Sequence, residues 1–304
     1  MNQPIVTVGV LTYNSSEYIV ETLESIKKQT YPHLILQISD DCSTDNTIEL
    51  CKIWINKNKE RFIKTKIIVP EHNTGVSGNA NRDWDACETE WLKEIAGDDI
   101  LLPNCIEDNI KYVEQQSDAI IIFSRPRLFG VSERECEQYI KKFDFSIFDM
   151  NSEQQYERIR YKNCLPASTA FYNIKKNRSL GLRHDERIPN LEDKPKWINA
   201  AKMGIKFHFF DKETVGYRIH KDSLSSSKVR SPRFYESLQL CYFYYVFQPL
   251  YEQNPEQAIQ DAVSKEMYLY NNYYKIKIQK KSLCKKSYFK FVRFIKNYKI
   301  RNRQ

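Results

Sequence analysis

The chain has 304 residues, 41% apolar and 28% charged, which is enough for a proper core under an ordinary polar surface. Its net charge of +8 is uneven: Lys275 to Gln304 holds twelve Lys or Arg and no Asp or Glu, leaving 35 basic against 39 acidic residues elsewhere. The positive balance therefore belongs to the tail and argues against a nucleic-acid-binding body, and eight glycines argue against a Gly-rich nucleotide loop.

No apolar run reaches about 18 residues, so no transmembrane helix is expected. The N-terminus passes almost directly into "IVTVGVLTY", without a basic segment or a small-residue cleavage site, so no signal peptide is expected either. The eight cysteines are never closer than nine residues apart, which gives no zinc spacing. They read as small buried apolar groups in a reducing cytoplasm.

Taken in order, the β-branched run 5–13 predicts a buried strand. Ser15 and Ser16 offer an N-cap to a helix carrying Ile19, Leu23 and Ile26. "LILQISD" (34–40) is a second strand, and Ser43 and Thr44 can cap a helix bearing Ile48, Cys51 and Ile55. A strand at 66–70, a helix at 76–88, a strand at 90–96, a helix at 103–115 and a strand at 119–123 continue the alternation. "SERECEQYIKKF" is helical in pattern, and 165–174 reads as a loop entering a strand. Residues 190–204 read as a cap and helix, 206–211 and 213–220 as two strands, and the chain beyond about 230 as helical.

Strands alternating with helices predict a mainly parallel α/β sheet covered on both faces. Ligands of such sheets bind outside the carboxyl ends of the strands. The polar clusters fall at those ends: "TYN" after the first strand, "DDCS" after the second, "GDD" after the fourth.

Asp98 and Asp99 lie side by side before the apolar "ILL". A divalent cation such as Mg2+ or Mn2+, which takes oxygen ligands and keeps positions open for phosphate, would relieve their repulsion; a helix cap with a solvated neighbour is the alternative. Asp40 and Asp41 can brace a turn or accept hydrogen bonds from a base or ribose. Tyr13, between Thr12 and Asn14, can stack on a planar ring or simply pack. Glu192 and Asp193 suit either a helix N-terminus or proton removal from a substrate hydroxyl, and Trp197 offers a flat face to a sugar. His220 is a lone histidine that can contact a metal or a diphosphate, or lie at the surface.

In series, these stretches resemble the family 2 glycosyltransferases, an inverting group with the GT-A fold. "VTVGVLTYNSSEYIVETLESIKKQTYPHLILQISDDCSTDNT" resembles the nucleotide-binding half, "NTGVSGNANR" the middle loop and "WLKEIAGDDILLP" the strand with the metal motif. "NLEDKPKW" resembles the acceptor-side motif and "GYRIHKDSLS" the segment that closes the site. The resemblance spans about residues 4 to 227, and the "AGDD" and "ED-x-P-x-W" forms are most similar to bacterial enzymes of capsule, lipopolysaccharide or exopolysaccharide synthesis.

The resemblance implies a GT-A domain over 1–228, with a nucleotide-binding half to residue 100 and an acceptor half after it, then a helical, C-terminally basic extension over 229–304. It implies that Thr12, Tyr13, Asn14 and Asp41 hold the nucleotide and that Asp98 serves the ribose or the metal. Asp99 is then the principal ligand of a bound Mg2+ or Mn2+, with His220 near the metal or diphosphate. Asp193 is the implied general base, with Glu192 and Trp197 on the acceptor side. Two departures stand out: Gly97 replaces the first aspartate of a strict D-x-D, and charged Lys93 and Glu94 interrupt the apolar run of that strand.

The implied reaction moves a sugar from a nucleotide-diphosphate donor, a UDP-sugar first, to a saccharide or lipid-linked saccharide hydroxyl, with inversion. A nucleotidyltransferase that makes sugar nucleotides and a non-catalytic nucleotide- or carbohydrate-binding protein are the rivals. The tail "KKSLCKKSYFKFVRFIKNYKIRNR" suits an interfacial helix on the inner face of the plasma membrane, or a free basic end of a cytoplasmic protein. No nucleic-acid partner is expected.

Overall fold

The structure, a computed structural model, describes residues 3–220 and 232–269. The chain divides into two compact units, Met1–Ser226 and Ser227–Gln304.

In the first unit, β1 (Val6–Thr12), β2 (Leu34–Asp40), β3 (Lys64–Ile68) and β4 (Trp91–Ala96) are joined by α1 (Ile19–Lys27), α2 (Thr47–Asn58) and α3 (Gly75–Ala86). Next come β5 (Ile100–Leu101), α4 (Cys105–Gln115), β6 (Ile121–Phe129), α5 (Glu133–Ile140), α6 (Ser152–Tyr161), β7 (Phe171–Asn173), α7 (Ile174–Ser179), α8 (Asp193–Lys202) and β8 (Phe207–Arg218). All eight strands form one sheet in the order β3-β2-β1-β4-β7-β6-β8-β5. The first four pair in parallel, as the alternation predicts, and β6 pairs with β8 in parallel. Contacts of β7 with β4 and β6, and of β5 with β8, are antiparallel, so the sheet is mixed.

Burial explains the strand sequences. Val6, Val8, Val10, Leu34, Leu36 and Ile38 are fully buried, and Ile19, Leu23 and Ile26 of α1 pack in the same cluster. Several expected elements change. Ser15 and Ser16 do not cap α1; their N–H groups donate to Thr47 Oγ1 (2.8 Å) and Asp45 Oδ2 (3.1 Å), and the N-cap position falls to Tyr18. α2 begins after Asn46, because Ser43 is engaged by Asp40 and Thr44 by Asn14. β6 runs past Phe123 to Phe129, and β8 is one strand instead of two. The charged residues that break the apolar pattern there face one another across the pair, Arg125 to Asp211 and Arg127 to Glu213. α6 has no apolar stripe to reveal it, and a reciprocal cap between Asn151 and Gln154 starts it.

The second unit has α9 (Pro232–Tyr242), a π-helical turn (Phe243–Phe247), α10 (Gln248–Gln253) and α11 (Pro255–Leu269). Its core collects Tyr242, Phe243, Val246, Phe247, Ala258 and Ala262. The basic tail, and with it the expected membrane helix, lies outside the described residues. Among the described residues, no helix is long and apolar enough to cross a membrane.

Polar residues sit at the centre of the sheet. Gly9 pairs with Gln37 on one side and Glu94 on the other, and Asp83 of α3 lies over it. Gln37 Nε2 holds Asp83 Oδ1 at 2.7 Å, and a Cβ on Gly9 would come within 2.1 Å of Asp83 Oδ2. Gly9→Ala is therefore expected to lower unfolding free energy by about 1–3 kcal/mol in urea denaturation; an unchanged midpoint would mean that α3 yields freely.

Candidate active site

The carboxyl ends of β1, β2 and β4 form one connected polar rim. Asp41 N–H donates to the Thr12 carbonyl (2.9 Å), and Gly97 N–H donates to the Leu11 carbonyl (2.9 Å). Asn14 takes a left-handed backbone conformation (φ 51°), which lets its N–H reach Ser43 Oγ (2.8 Å) while its Oδ1 accepts from Thr44 N–H (2.8 Å). Tyr13 stands 48% exposed at this rim.

Both aspartates after β2 are buried and engaged. Asp40 accepts from Ser43 N–H (2.7 Å) and Oγ (2.6 Å), which closes the turn. Asp41 Oδ1 accepts from Thr74 N–H (3.0 Å) and Oγ1 (2.7 Å), its Oδ2 accepts from Gly75 N–H (2.8 Å), and Arg82 approaches at 3.4 Å. The carboxylate expected to hold the nucleotide thus also braces the N-terminus of α3.

That helix reaches across to the loop that precedes α8. Ser77 Oγ donates to the Ile188 carbonyl (2.7 Å) and Ser77 N–H to that of Pro189 (3.2 Å). Asn81 exchanges hydrogen bonds with the His184 backbone, both at 3.0 Å. Gly75 (φ 81°) lies so close to Pro189 that a Cβ would meet its carbonyl at 2.8 Å. The "NTGVSGNANR" stretch is therefore a strap from Asp41 to the loop that leads into α8.

Asp98 and Asp99 lie between β4 and β5. Gly97 is required just before them, since a Cβ there would come within 2.9 Å of Thr12 Oγ1. Thr12 Oγ1 is itself buried with no hydrogen-bond partner among the described residues. Asp99 is 2% exposed; its Oδ1 accepts from Arg218 N–H (2.8 Å) and its carbonyl from Thr22 Oγ1 (2.7 Å). Burial, and then the neighbouring Asp98, push its carboxyl well above the usual range. Asp98 Oδ2 meets His220 Nε2 at 2.9 Å.

Arg218, which sequence reasoning missed, fastens this turn. Its Nε donates to the Asp98 carbonyl (2.8 Å), its guanidinium pairs with Glu21 (2.5 Å), and it lies 4.8 Å from the Tyr18 ring and 4.4 Å from the Phe129 ring. Its place at the end of β8, two residues before His220, was the available signal.

Among the described residues, no three His, Cys, Asp or Glu side chains gather to hold a metal. Two adjacent carboxylates with a crowded negative charge nonetheless suit a hard cation whose other ligands come from a diphosphate and water. His220 sits with Asp98, not Asp99.

Glu192 and Asp193, expected on the acceptor side, start α8. Asp193 Oδ2 accepts from Asn163 Nδ2 (2.7 Å) and its Oδ1 from Lys194 N–H (2.6 Å). Burial first and Asp193 second push the Glu192 carboxyl up to about 7. Trp197 corrects the expectation of a sugar platform. It is fully buried, stacked with Tyr172 at 6.1 Å and edge-on to Phe123 and Phe207 at 5.0 and 5.8 Å.

The model of the family "Glycosyl transferase family 2" matches residues 7–172. An uncharacterized glycosyltransferase of Methanocaldococcus jannaschii is 25% identical over 77% of this chain and 78% of its own length. The Escherichia coli UDP-Glc:alpha-D-GlcNAc-diphosphoundecaprenol beta-1,3-glucosyltransferase WfaP is 25% identical over 81% and 94%. The crystal structure of Staphylococcus aureus TarS 1-349 with UDP-GlcNAc superposes with a TM-score of 0.61 at 21% identity, over 79% of this chain and 66% of that one. These matches carry the GT-A fold.

Arg218→Met is expected to weaken binding of UDP with Mn2+ by at least about tenfold, roughly 1.4 kcal/mol, in calorimetry. Binding of UDP without metal should change far less, and an equal loss in both titrations would detach Arg218 from the Asp98–Asp99 turn.

Proposed function

We infer the reaction from one premise: the chain belongs to glycosyl transferase family 2, whose model matches more than half of it. It is a glycosyltransferase, neither a maker of sugar nucleotides nor a mere binding subunit. The specific reading proposed is transfer, with inversion, from a nucleotide-diphosphate sugar to a hydroxyl of a saccharide or lipid-linked saccharide during surface polysaccharide synthesis. The observation that carries it is the polar rim along the strand ends, with Asp98 and Asp99 on one side and the α3 strap leading to Asp193 on the other.

In this reading Thr12, Tyr13 and Asn14 receive the base and ribose of a UDP-sugar, with Asp41 holding the loop behind them. Asp98 and Asp99 would hold a Mg2+ or Mn2+ ion, which supplies charge stabilisation to the departing diphosphate. Arg218 and His220 keep the two carboxylates in place. Asp193 takes the proton of the acceptor hydroxyl as its oxygen attacks the anomeric carbon from the face opposite the leaving group. One base suffices, because a diphosphate leaving group needs no proton from a second carboxylate, and a cation held by Asp98 and Asp99 would supply charge stabilisation to it. The lipid-linked acceptor of WfaP and the UDP-GlcNAc bound by TarS support the substrate classes. Contact of the basic tail with an anionic inner membrane surface belongs to the same proposal and rests on its charge alone.

The test is a panel of UDP-, GDP- and dTDP-sugars assayed for Mn2+-dependent nucleotide release. Saturable release from one donor is expected, and none from any donor would sink the reading. Asp193→Asn should lower transfer by at least about a thousandfold while nucleotide affinity stays within about twofold, as for loss of an essential base. Turnover near the wild-type level would assign the base elsewhere.

A further inference from the structure

Beneath the N-terminus of α8 lies a buried polar chain that neither the nucleotide nor the acceptor rim uses directly. Lys196 is 2% exposed, and its ammonium donates to Tyr172 Oη at 2.8 Å and reaches His184 Nε2 at 3.4 Å. Glu94 of β4 lies 3.8 Å from it, and Glu94 also accepts from Trp84 Nε1 at 3.0 Å. On the other ring edge of His184, Nδ1 lies 3.2 Å from the Glu192 carbonyl. A carbonyl only accepts, so Nδ1 carries the proton and Nε2 is the acceptor for Lys196. Burial, and then Lys196, hold this imidazole neutral by pushing its pKa well below the usual histidine range. One polar line thus runs from Glu94 through Lys196 and His184 to the backbone of Glu192.

Helical spacing adds a second link. Lys196 follows Glu192 by four residues and Asp193 by three, so all three share one side of the first turn. The charged and titratable groups around Lys196 are Glu94 on β4, Tyr172 on β7, His184 in the preceding loop and Glu192 and Asp193 on α8, with Asp83 of α3 beyond Glu94. The Trp84, Tyr172 and Trp197 rings enclose the ammonium at 5.2, 4.6 and 4.4 Å. Burying an ammonium is costly unless every partner is in place, so the network is rigid and specific.

We propose that His184 and Lys196 are positioning residues for the reaction: they hold the turn that carries Glu192 and Asp193 from below and couple it to Glu94 in the sheet. His184 Nδ1–H adds a side-chain bond to the carbonyl of Glu192, the N-cap residue of α8, and so steadies the direction in which both acidic side chains leave the turn. Lys196 supplies positive charge on the buried side, which favours the ionised carboxylates, and Glu94 opposes it. The role rests on the glycosyltransfer reading, but its sign is testable without any donor.

Carboxyl 13C NMR on glutamate-labelled protein, taken through a pH series, reads the Glu192 midpoint directly. Lys196→Met should raise it by about one pH unit and Glu94→Gln should lower it by a few tenths, since loss of a cation and of an anion act in opposite directions. Should Lys196→Met not fold, Glu94→Gln alone carries the charge test. The positioning role is read in the folded His184 pair: His184→Leu should cut Mn2+-dependent nucleotide release from UDP-GlcNAc or UDP-glucose by about tenfold or more, with UDP affinity within about twofold. His184→Asn, which can still donate to the carbonyl, should recover to within about threefold of wild type. Midpoints that stay in place, or loss of UDP binding in step with activity, would mark the network as structural and overturn the proposal. A wild-type chain that binds and cleaves no sugar nucleotide would instead overturn the glycosyltransfer reading, and the NMR midpoints would still decide the charge coupling.

Discussion

Charge buried along one central strand is the constraint to which the first unit is built. β4 carries Lys93 and Glu94 on opposite faces and delivers Asp98 and Asp99 at its end. Each needs partners, because an unpaired buried charge costs several kcal/mol. Lys93, fully buried, donates to the Ser168 (2.6 Å) and Ala170 (3.1 Å) carbonyls, which pins the segment entering β7. Glu94 recruits Trp84 and Lys196 on the other face, which pins α3 and α8. Asp99 takes the Arg218 backbone, which pins the end of β8. Four elements from distant parts of the chain are thus registered by charged groups on β4 and in the turn after it, and these elements carry the candidate site.

The parallel half of the fold was legible because its signals are local. β-branched runs such as 34–40 and the stripe of α1 report burial directly. The β6–β8 pair was misread because charged residues at 125, 127, 211 and 213 satisfy one another across strands, which no single strand reveals. α6 and α7 are short and mostly polar, and are held by caps and tertiary contact. Antiparallel insertion of β7 likewise depends on long-range pairing.

The candidate site was legible to the extent that position at a strand end is written in the local sequence. Asp98 and Asp99 follow β4, and Thr12 and Asn14 lie at or just after the end of β1, as their neighbours predict. Asp41 was found, but not its grip on the α3 strap, since Thr74 and Gly75 lie more than thirty residues on. Trp197 failed as a sugar platform because a local motif does not state which side of a helix faces the core. The same period that buries Trp197 also buries Lys196, so the missing site residue was beside the misplaced one. Arg218 escaped notice because an arginine ending a strand looks like surface until its Asp98, Glu21 and aromatic partners are known.

The strap formed by α3 has a consequence for specificity. Its first residues answer to Asp41 on the nucleotide side and its Ser77 and Asn81 to the loop of residues 184–189 on the acceptor side. In the proposed reading, the nucleotide rim is thus linked by one helix to the loop that feeds His184 and α8. Acceptor choice would then come from side chains placed on this frame, not from freedom in the frame. In the proposed reading, with Trp197 withdrawn into the core, an acceptor at the first turn of α8 would meet a polar surface that includes Asp193 and its partner Asn163. Such a surface would recognise a hydroxyl by hydrogen-bond geometry more than by apolar contact, and would favour an acceptor whose reactive oxygen is presented with polar neighbours on either side.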